Sequence, residues 1–254
     1  MIDFHSHIIP AVDDGSKDID MTMNMLENSI KEGTEIICAT PHFIYGECET
    51  SFEDYNTKLN QILGRCSSNI KVVSGVEVYI NPELPTLFKE NKIWGLNNNK
   101  YILIELPMEQ FPIYTEKVFY DLRLLGLVPV LAHPERNMAI HKNIELLINL
   151  IEQGNLAQMN SGSLMGLYGG EIKRQAEKLV HMNLIHMLGS DAHNDGKRNT
   201  YLSEAYFKVK ELNEQLYNWI CDNENNIISG LDVECLNIKE ITKNKKSFWS
   251  IFKK

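Results

Sequence analysis

Short apolar runs rich in β-branched residues recur along the chain at 2–5, 36–40, 71–78, 101–106, 127–132, 156–160 and 185–189, and read as seven strands. Between them, apolar positions fall at helical spacing over 18–32, 53–66, 84–91, 115–125, 141–153 and 171–183. Gly33, Gly126 and Gly154 stand just past three of these helices, where glycine commonly stops a helix. Strand followed by helix, repeated, predicts a parallel α/β sheet, with a closed or nearly closed barrel as the economical form. An open doubly wound sheet competes, but no G-x-G-x-x-G or Walker A loop supports it.

No linker or low-complexity run divides the chain, so residues 1–237 read as one domain. Residues 238–254 differ: six Lys and one Glu are interleaved with Phe248, Trp249 and Phe252. This basic, aromatic tail is either a frayed or docked terminus, or a weak contact with an anionic membrane surface or an acidic partner.

At 254 residues and 43% hydrophobic, the chain can bury a full core, which excludes global disorder. Thirty-four acids against 25 Lys and Arg argue against nucleic acid as a partner, because such binding rests on phosphate neutralisation. No apolar run is long enough to span a bilayer, and the start Met1-Ile2-Asp3-Phe4-His5 is not the basic-then-apolar opening of a signal peptide. The chain reads as cytosolic. Its five scattered Cys form no C-x-x-C pair, and none has an Arg six positions later. A disulfide framework, a zinc ribbon and a thiolate-phosphatase loop are all excluded.

The strand ends carry the chemistry. Strand one ends in His5-Ser6-His7, strand two in Thr40-Pro41-His42, strand three at Glu77 and strand four at Glu105. Strand five ends in His133-Pro134-Glu135-Arg136 and strand seven in Ser190-Asp191-Ala192-His193, while a loop after strand one adds Asp13-Asp14-Gly15. In a parallel barrel these positions converge on the carboxyl-end face. His141, His181 and His186 fall elsewhere and read as structural. Converging carboxylates repel and lose hydration unless cations neutralise them, so His5, His7, Asp14, His42, Glu77, Glu105, His133, Asp191 and His193 read as metal ligands. Alternation puts both rings of His5-x-His7 on one side of a strand, and Asp191-x-His193 repeats the device. Nine N and O donors exceed what one ion uses, so two to three divalent ions are expected, and a set without thiolate suits manganese, iron or zinc alike. Arg136 and Arg198 stand on the same face, where guanidinium forks bind phosphoryl oxygens; surface ion pairs with Glu135 or other acids are the plainer alternative.

These residues resemble the polymerase-and-histidinol-phosphatase (PHP) superfamily, and within it the metal-dependent tyrosine-protein phosphatases encoded with bacterial capsule and exopolysaccharide genes. The matching pieces are Met1 to Pro10 with Asp13-Asp14-Gly15, Thr40-Pro41-His42, Gly75-Val76-Glu77, Leu103 to Pro107, Ala132 to Arg136 and Gly189 to Asn194. The resemblance implies a distorted (β/α)7 TIM-like barrel of PHP type with three metals, manganese first, with iron or zinc as alternatives. One ion would take His5, His7, Glu77 and Asp191. A second would share Glu77 and add Glu105 and His133, and a third would take Asp14, His42 and His193. Glu105 stands where many superfamily members have His, which favours the tyrosine-phosphatase branch over histidinol phosphatase.

The implied reaction is hydrolysis of phosphotyrosine by a metal-bridging hydroxide, with Arg136 and Arg198 as catalytic residues holding the equatorial oxygens. The implied partner is a phosphotyrosine protein: the C-terminal tyrosine cluster of a bacterial tyrosine kinase that regulates capsular or extracellular polysaccharide synthesis. A small-molecule phosphatase such as histidinol phosphatase, a nuclease module and a non-catalytic regulatory subunit are the competing readings. Tyr45, Phe111 and Tyr168, in apparent loops, either line the substrate groove or serve as ordinary packing.

Overall fold

The computed structural model describes residues 1–240. Its strands are β1 (Ile2–Ser6), β2 (Ile36–Ala39), β3 (His42–Phe43), β4 (Lys71–Ser74), β5 (Glu77–Tyr79), β6 (Tyr101–Glu105), β7 (Val128–Ala132), β8 (Leu156–Asn160) and β9 (Met187–Gly189). All strand pairings among the described residues are parallel: β1-β2-β4 form one sheet and β3-β5-β6-β7-β8-β9 the other. Each predicted strand is present, but the second stops at Ala39 with a short strand β3 beyond it, and the third is split into β4 and β5.

The interruptions have local causes. Pro41 has no N–H to give a ladder, and the Thr40 hydroxyl accepts the Ser6 N–H instead, at 2.9 Å. Opposite it, a Cβ on Gly75 would come within 2.7 Å of Thr40 Cγ2. The predicted continuous strand over 71–78 therefore breaks at Gly75-Val76, and both chains resume one step over, in the second sheet. Beyond β9, Asp191 donates its backbone N–H to His5 O and His7 donates to Ala192 O, both at 2.8 Å. The result is an α/β fold with a curled parallel sheet shaped as a half-barrel, whose carboxyl ends gather on one face.

Ten helices surround it among the described residues: α1 (Ile19–Glu32), α2 (Phe52–Leu63), α3 (Leu84–Lys89), α4 (Thr115–Leu124), α5 (Met138–Lys142), α6 (Glu145–Glu152), α7 (Ser161–Met165), α8 (Gly170–His181), α9 (Ser203–Leu212) and α10 (Glu214–Ile228). Gly33, Gly126 and Gly154 take left-handed φ values of 83°, 83° and 91°, as predicted for helix stops. The helix predicted over 141–153 is instead two, because Asn143 is extended (φ −140°, ψ 94°) between α5 and α6. Neither α7 nor the pair α9 and α10 was predicted. Both faces of the sheet are covered: Ile102, Leu103 and Ile104 on β6 are all fully buried, as a parallel sheet requires.

The chain stays docked past 237, with Asn183 Nδ2 donating to Asn237 O at 2.8 Å and Lys239 N to Met182 O at 3.0 Å. Residues 241–254 of the expected basic tail, including Phe248, Trp249 and Phe252, lie outside the described residues. No helix among the described residues is long and apolar enough to cross a membrane.

Candidate active site

The curl of the sheet brings the nine predicted ligand residues into one basin. His5 and His7 point the same way from β1, their Nε2 atoms 3.1 Å apart. Glu77, at the start of β5, lies among four imidazoles: its Oε2 is 3.2 Å from His5 Nε2, 3.4 Å from His7 Nε2 and 2.9 Å from His42 Nδ1, and its Oε1 is 3.1 Å from His133 Nε2. Glu105 lies 3.7 Å from both His42 Nδ1 and His133 Nε2. Asp191 Oδ1 faces His7 and His193 at 3.5 and 3.4 Å, with His5 at 3.8 Å. Asp14, more exposed, reaches His42 at 3.6 Å and His193 at 3.3 Å.

Three groups gather within 4.8 Å: His7, Asp14, His42 and His193; His5, His7 and Glu77; and His42, Glu77 and Glu105. His7 and His42 thus each belong to two groups, where the resemblance implied one apiece. Two residues stand outside these groups: His133 is held against Glu77 and Glu105, and Asp191 against the three histidines.

A second layer fixes the ring orientations. His7 Nδ1 donates to Asp13 Oδ2 at 2.7 Å, and His5 Nδ1 to Gln158 Oε1 at 2.9 Å, so both Nε2 atoms face the basin. Gln158 Nε2 donates to Asn160 Oδ1 at 3.0 Å, and Asn160 Nδ2 to Asp191 Oδ2 at 2.7 Å. The end of strand six was not among the predicted ligand positions, yet Gln158 and Asn160 complete this layer. The available signal was their alternation, two buried polar side chains two residues apart on one strand. Asp13 sat inside a quoted motif but was given no role. The backbone is packed to match: a Cβ on Gly189 would fall 2.5 Å from His5 Cβ, and one on Gly15 would fall 2.4 Å from His7 Cβ. His133 and Asp191 both hold left-handed φ values, 31° and 51°, a strained conformation that surrounding structure must enforce.

Electrostatics pull these groups in opposite directions. Burial alone would raise the Glu77 pKa, but His5, His133 and His42 hold it well below the usual carboxylate range. Burial pulls His7 down, and Asp13, Asp191 and Glu77 outweigh it, driving it well above its ordinary value. His193 is pushed down to about 3 by burial and by His7 beside it. Glu105 is pushed up by burial and by Glu77. Divalent cations would satisfy carboxylates and imidazoles together, and the spacing fits them. Two donors each ~2.1 Å from one ion lie ~3.0–3.4 Å apart, close to the separations across the basin. Glu77 Oε2 and His42 Nδ1 are both buried without a hydrogen-bond partner although only 2.9 Å apart, a pair of lone-pair donors suited to an ion.

At the rim, Arg136 Nη1 and Arg198 Nη2 approach Asp191 Oδ2 at 2.9 and 3.1 Å. Glu135, the alternative partner considered for them, is buried and accepts from Asn160 N at 3.0 Å and Ser163 Oγ at 2.6 Å. The Arg136 guanidinium lies 4.4 Å over the Tyr168 ring. Of the three loop aromatics, Tyr168 joins the site, Tyr45 is exposed, and Phe111 packs against the core. His141 bonds the Glu135 carbonyl, His186 is buried against Trp219, and His181 ends α8, so none of the three enters the basin.

Comparison with known proteins places this geometry in context. A family model described as capsular polysaccharide synthesis, CpsB/CapC, matches residues 1–229. Tyrosine-protein phosphatase YwqE of Bacillus subtilis (strain 168) is 39% identical over 227 residues, 88% of this chain and 89% of that protein. The putative tyrosine-protein phosphatase CapC of Staphylococcus aureus is 35% identical over 87% of this chain and 88% of its own. A solved chain from the crystal structures of YwqE from Bacillus subtilis and CpsB from Streptococcus pneumoniae, described as unique metal-dependent tyrosine phosphatases, matches with a TM-score of 0.91. It is 34% identical, with 96% of this chain and 100% of that chain covered. Histidinol phosphate phosphatase from Lactococcus lactis, at 13% identity and a TM-score of 0.56, shares the fold.

Proposed function

The chain belongs to the CpsB/CapC capsular polysaccharide synthesis family, and from that premise we propose that it is a metal-dependent tyrosine-protein phosphatase. One observation carries the reading: a basin of nine N and O donors is bordered by two guanidinium groups converging on Asp191 Oδ2. Asp191 thus joins the cation basin to the guanidinium pair, and phosphoryl transfer draws on both kinds of positive charge. His5, His7, Asp14, His42, Glu77, Glu105, His133, Asp191 and His193 would hold two to three divalent ions, manganese first, iron or zinc otherwise. Bound there, the ions supply Lewis acidity toward phosphoryl oxygens and lower the pKa of water.

The chain's own residues do the rest. Arg136 and Arg198 grip the non-bridging oxygens and stabilise the charge that develops on them. Asp191 fixes both guanidinium groups, and the Tyr168 ring sets the plane of Arg136. Tyrosine ionises near pH 10, so its phenolate leaves readily and a strong general acid is not required. The substrate is a phosphotyrosine protein, specifically the C-terminal tyrosine cluster of a bacterial tyrosine kinase regulating capsular or extracellular polysaccharide synthesis, met in the cytoplasm. The catalytic unit spans 1–237, and the curled sheet is one distorted (β/α)7 barrel of PHP type.

The test compares a phosphotyrosine peptide with histidinol phosphate on manganese-loaded protein. The peptide should win, chelation should abolish turnover, and Arg136→Ala should lower kcat/KM by ~10²–10³-fold while the chain stays folded. Histidinol phosphate turned over faster by orders of magnitude would overturn the reading, as would a folded Arg136→Ala with full activity.

A further inference from the structure

A cavity of about 450 Å³ opens against the arginine pair, with Arg198 and Tyr168 in its wall. Several of its polar wall groups are already committed. Ser161 Oγ donates to Tyr201 O at 2.6 Å, Ser190 Oγ to His5 O at 3.3 Å, and Asn199 Nδ2 to Asp195 O at 3.0 Å. Glu32 accepts the backbone N–H groups of Leu202 and Ser203 at 3.3 and 3.1 Å. Beside the charged Lys197, Arg198 and Glu204, the wall carries the largely apolar surfaces of Met165, Leu167, Tyr168 and Tyr201. Met165 is 44% exposed and Leu167 38%. Single exposed apolar side chains are ordinary; several lining one cavity beside an anion clamp call for an occupant. Lys197 and Glu204 also line the cavity, so a charged occupant of either sign meets a like charge beside an opposite one, and the wall favours neither sign.

We infer that this cavity is a specificity pocket for an apolar side chain flanking the phosphotyrosine in the substrate polypeptide, an inference that rests on the phosphatase reading above. Continuity with the clamp fixes the occupant. The phosphoryl group held by Arg198 stands at the end of a tyrosyl side chain, so the backbone passes above the clamp, its residues spaced ~3.5 Å apart. A side chain one or two positions away can reach down beside the phosphotyrosine into the cavity whose wall Arg198 shares. An acidic flank would meet Glu32 and Glu204 as well as Lys197 and Arg198, and a basic flank the same four groups, so attraction and repulsion offset each other while either flank loses hydration. An apolar flank loses nothing and removes Met165 and Leu167 from water.

The manganese-loaded full chain can be assayed on phosphotyrosine peptides differing only in Leu or Ser at the flanking positions, with p-nitrophenyl phosphate as a substrate that has no flank. The Leu peptide should be preferred by about tenfold in kcat/KM, the scale expected of an apolar pocket. In the Met165→Gln/Leu167→Gln double variant that preference should fall toward unity, with p-nitrophenyl phosphate turnover unchanged. A parent with no preference would sink the pocket without any variant being needed, as would a preference that survives the double substitution. If the parent turns over neither the peptides nor p-nitrophenyl phosphate, the phosphatase reading itself fails, an outcome distinct from lost discrimination.

Discussion

Two ends of the same sheet bury ionisable groups, and they do so on opposite terms. At the amino end, Tyr206 Oη donates to Glu224 Oε2 at 2.8 Å, the Met1 amino group lies 3.8 Å from Glu224 Oε1, and the Ile2 carbonyl is 3.2 Å from the same hydroxyl. Burial raises the Glu224 pKa, and Tyr206 and the N-terminus work against it. That cluster is complete within itself. At the carboxyl end, Glu77 touches four imidazoles, yet its Oε2 has no hydrogen-bond partner. Burying a carboxylate is therefore not what marks a site here. Convergence of lone pairs that cannot satisfy one another is, because only a further cation completes the set.

If that contrast is right, disturbing a partner should cost ligand affinity at one end and only stability at the other. Asp13→Asn tests the first half. The Asp13 carboxylate accepts from His7 Nδ1 at 2.7 Å and from His42 N at 2.9 Å, setting the tautomer that aims His7 Nε2 inward. Removing its charge should weaken manganese binding ~10–100-fold, read by metal titration, with phosphatase activity recovered at excess metal. Unchanged metal affinity would remove Asp13 from the basin's support. Tyr206→Phe tests the second half. It strands Glu224 Oε2, and a buried acceptor that loses its donor costs ~1–3 kcal/mol. Urea unfolding should register that loss while kcat and metal affinity stay at parent values; a drop in either would mean the two ends are coupled.

The same contrast explains what could be read from the sequence. His and acidic residues at strand ends stand out because neither belongs beside an apolar run, so His5, His7, His42, His133 and Asp191 were legible by position alone. Gln158 and Asn160 were not, since neutral amides within an apolar strand resemble ordinary satisfied core groups until the structure shows His5 and Asp191 as their partners. The breaks at Thr40-Pro41 and Gly75-Val76 depend on a contact between two strands, which single-chain periodicity does not register. The helices α9 and α10 follow β9, the last strand, and no later strand brackets them, although Ala205, Tyr206, Val209, Leu216 and Ile220 are buried at helical spacing. The sharing of His7 and His42 between groups is likewise a matter of ångström distances that spacing along the chain does not carry.

The smallest expected effect is also the cleanest separation of the two ends. His186 precedes β9 at the amino end, fully buried, its Nδ1 accepting the Ala157 N–H at 3.1 Å and its ring edge-on to Trp219. Burial pushes its pKa down to about 4, and the Ala157 contact does not restore it. The unfolded chain, with an ordinary imidazole near 6.5, therefore binds the extra proton between those values while the folded chain does not. Stability from this group is complete above about pH 6.5 and drains away as pH falls toward 4, amounting to about 1 kcal/mol between pH 7 and 5.5. His186→Asn keeps an acceptor for Ala157 N–H but cannot titrate. Unfolding free energies measured on parent and variant across that interval should diverge, the parent falling more steeply by about 1 kcal/mol, with turnover at pH 7 the same in both. Parallel curves would mean that the imidazole is reached by water or protonated in the folded chain, and burial would then not be what sets its titration.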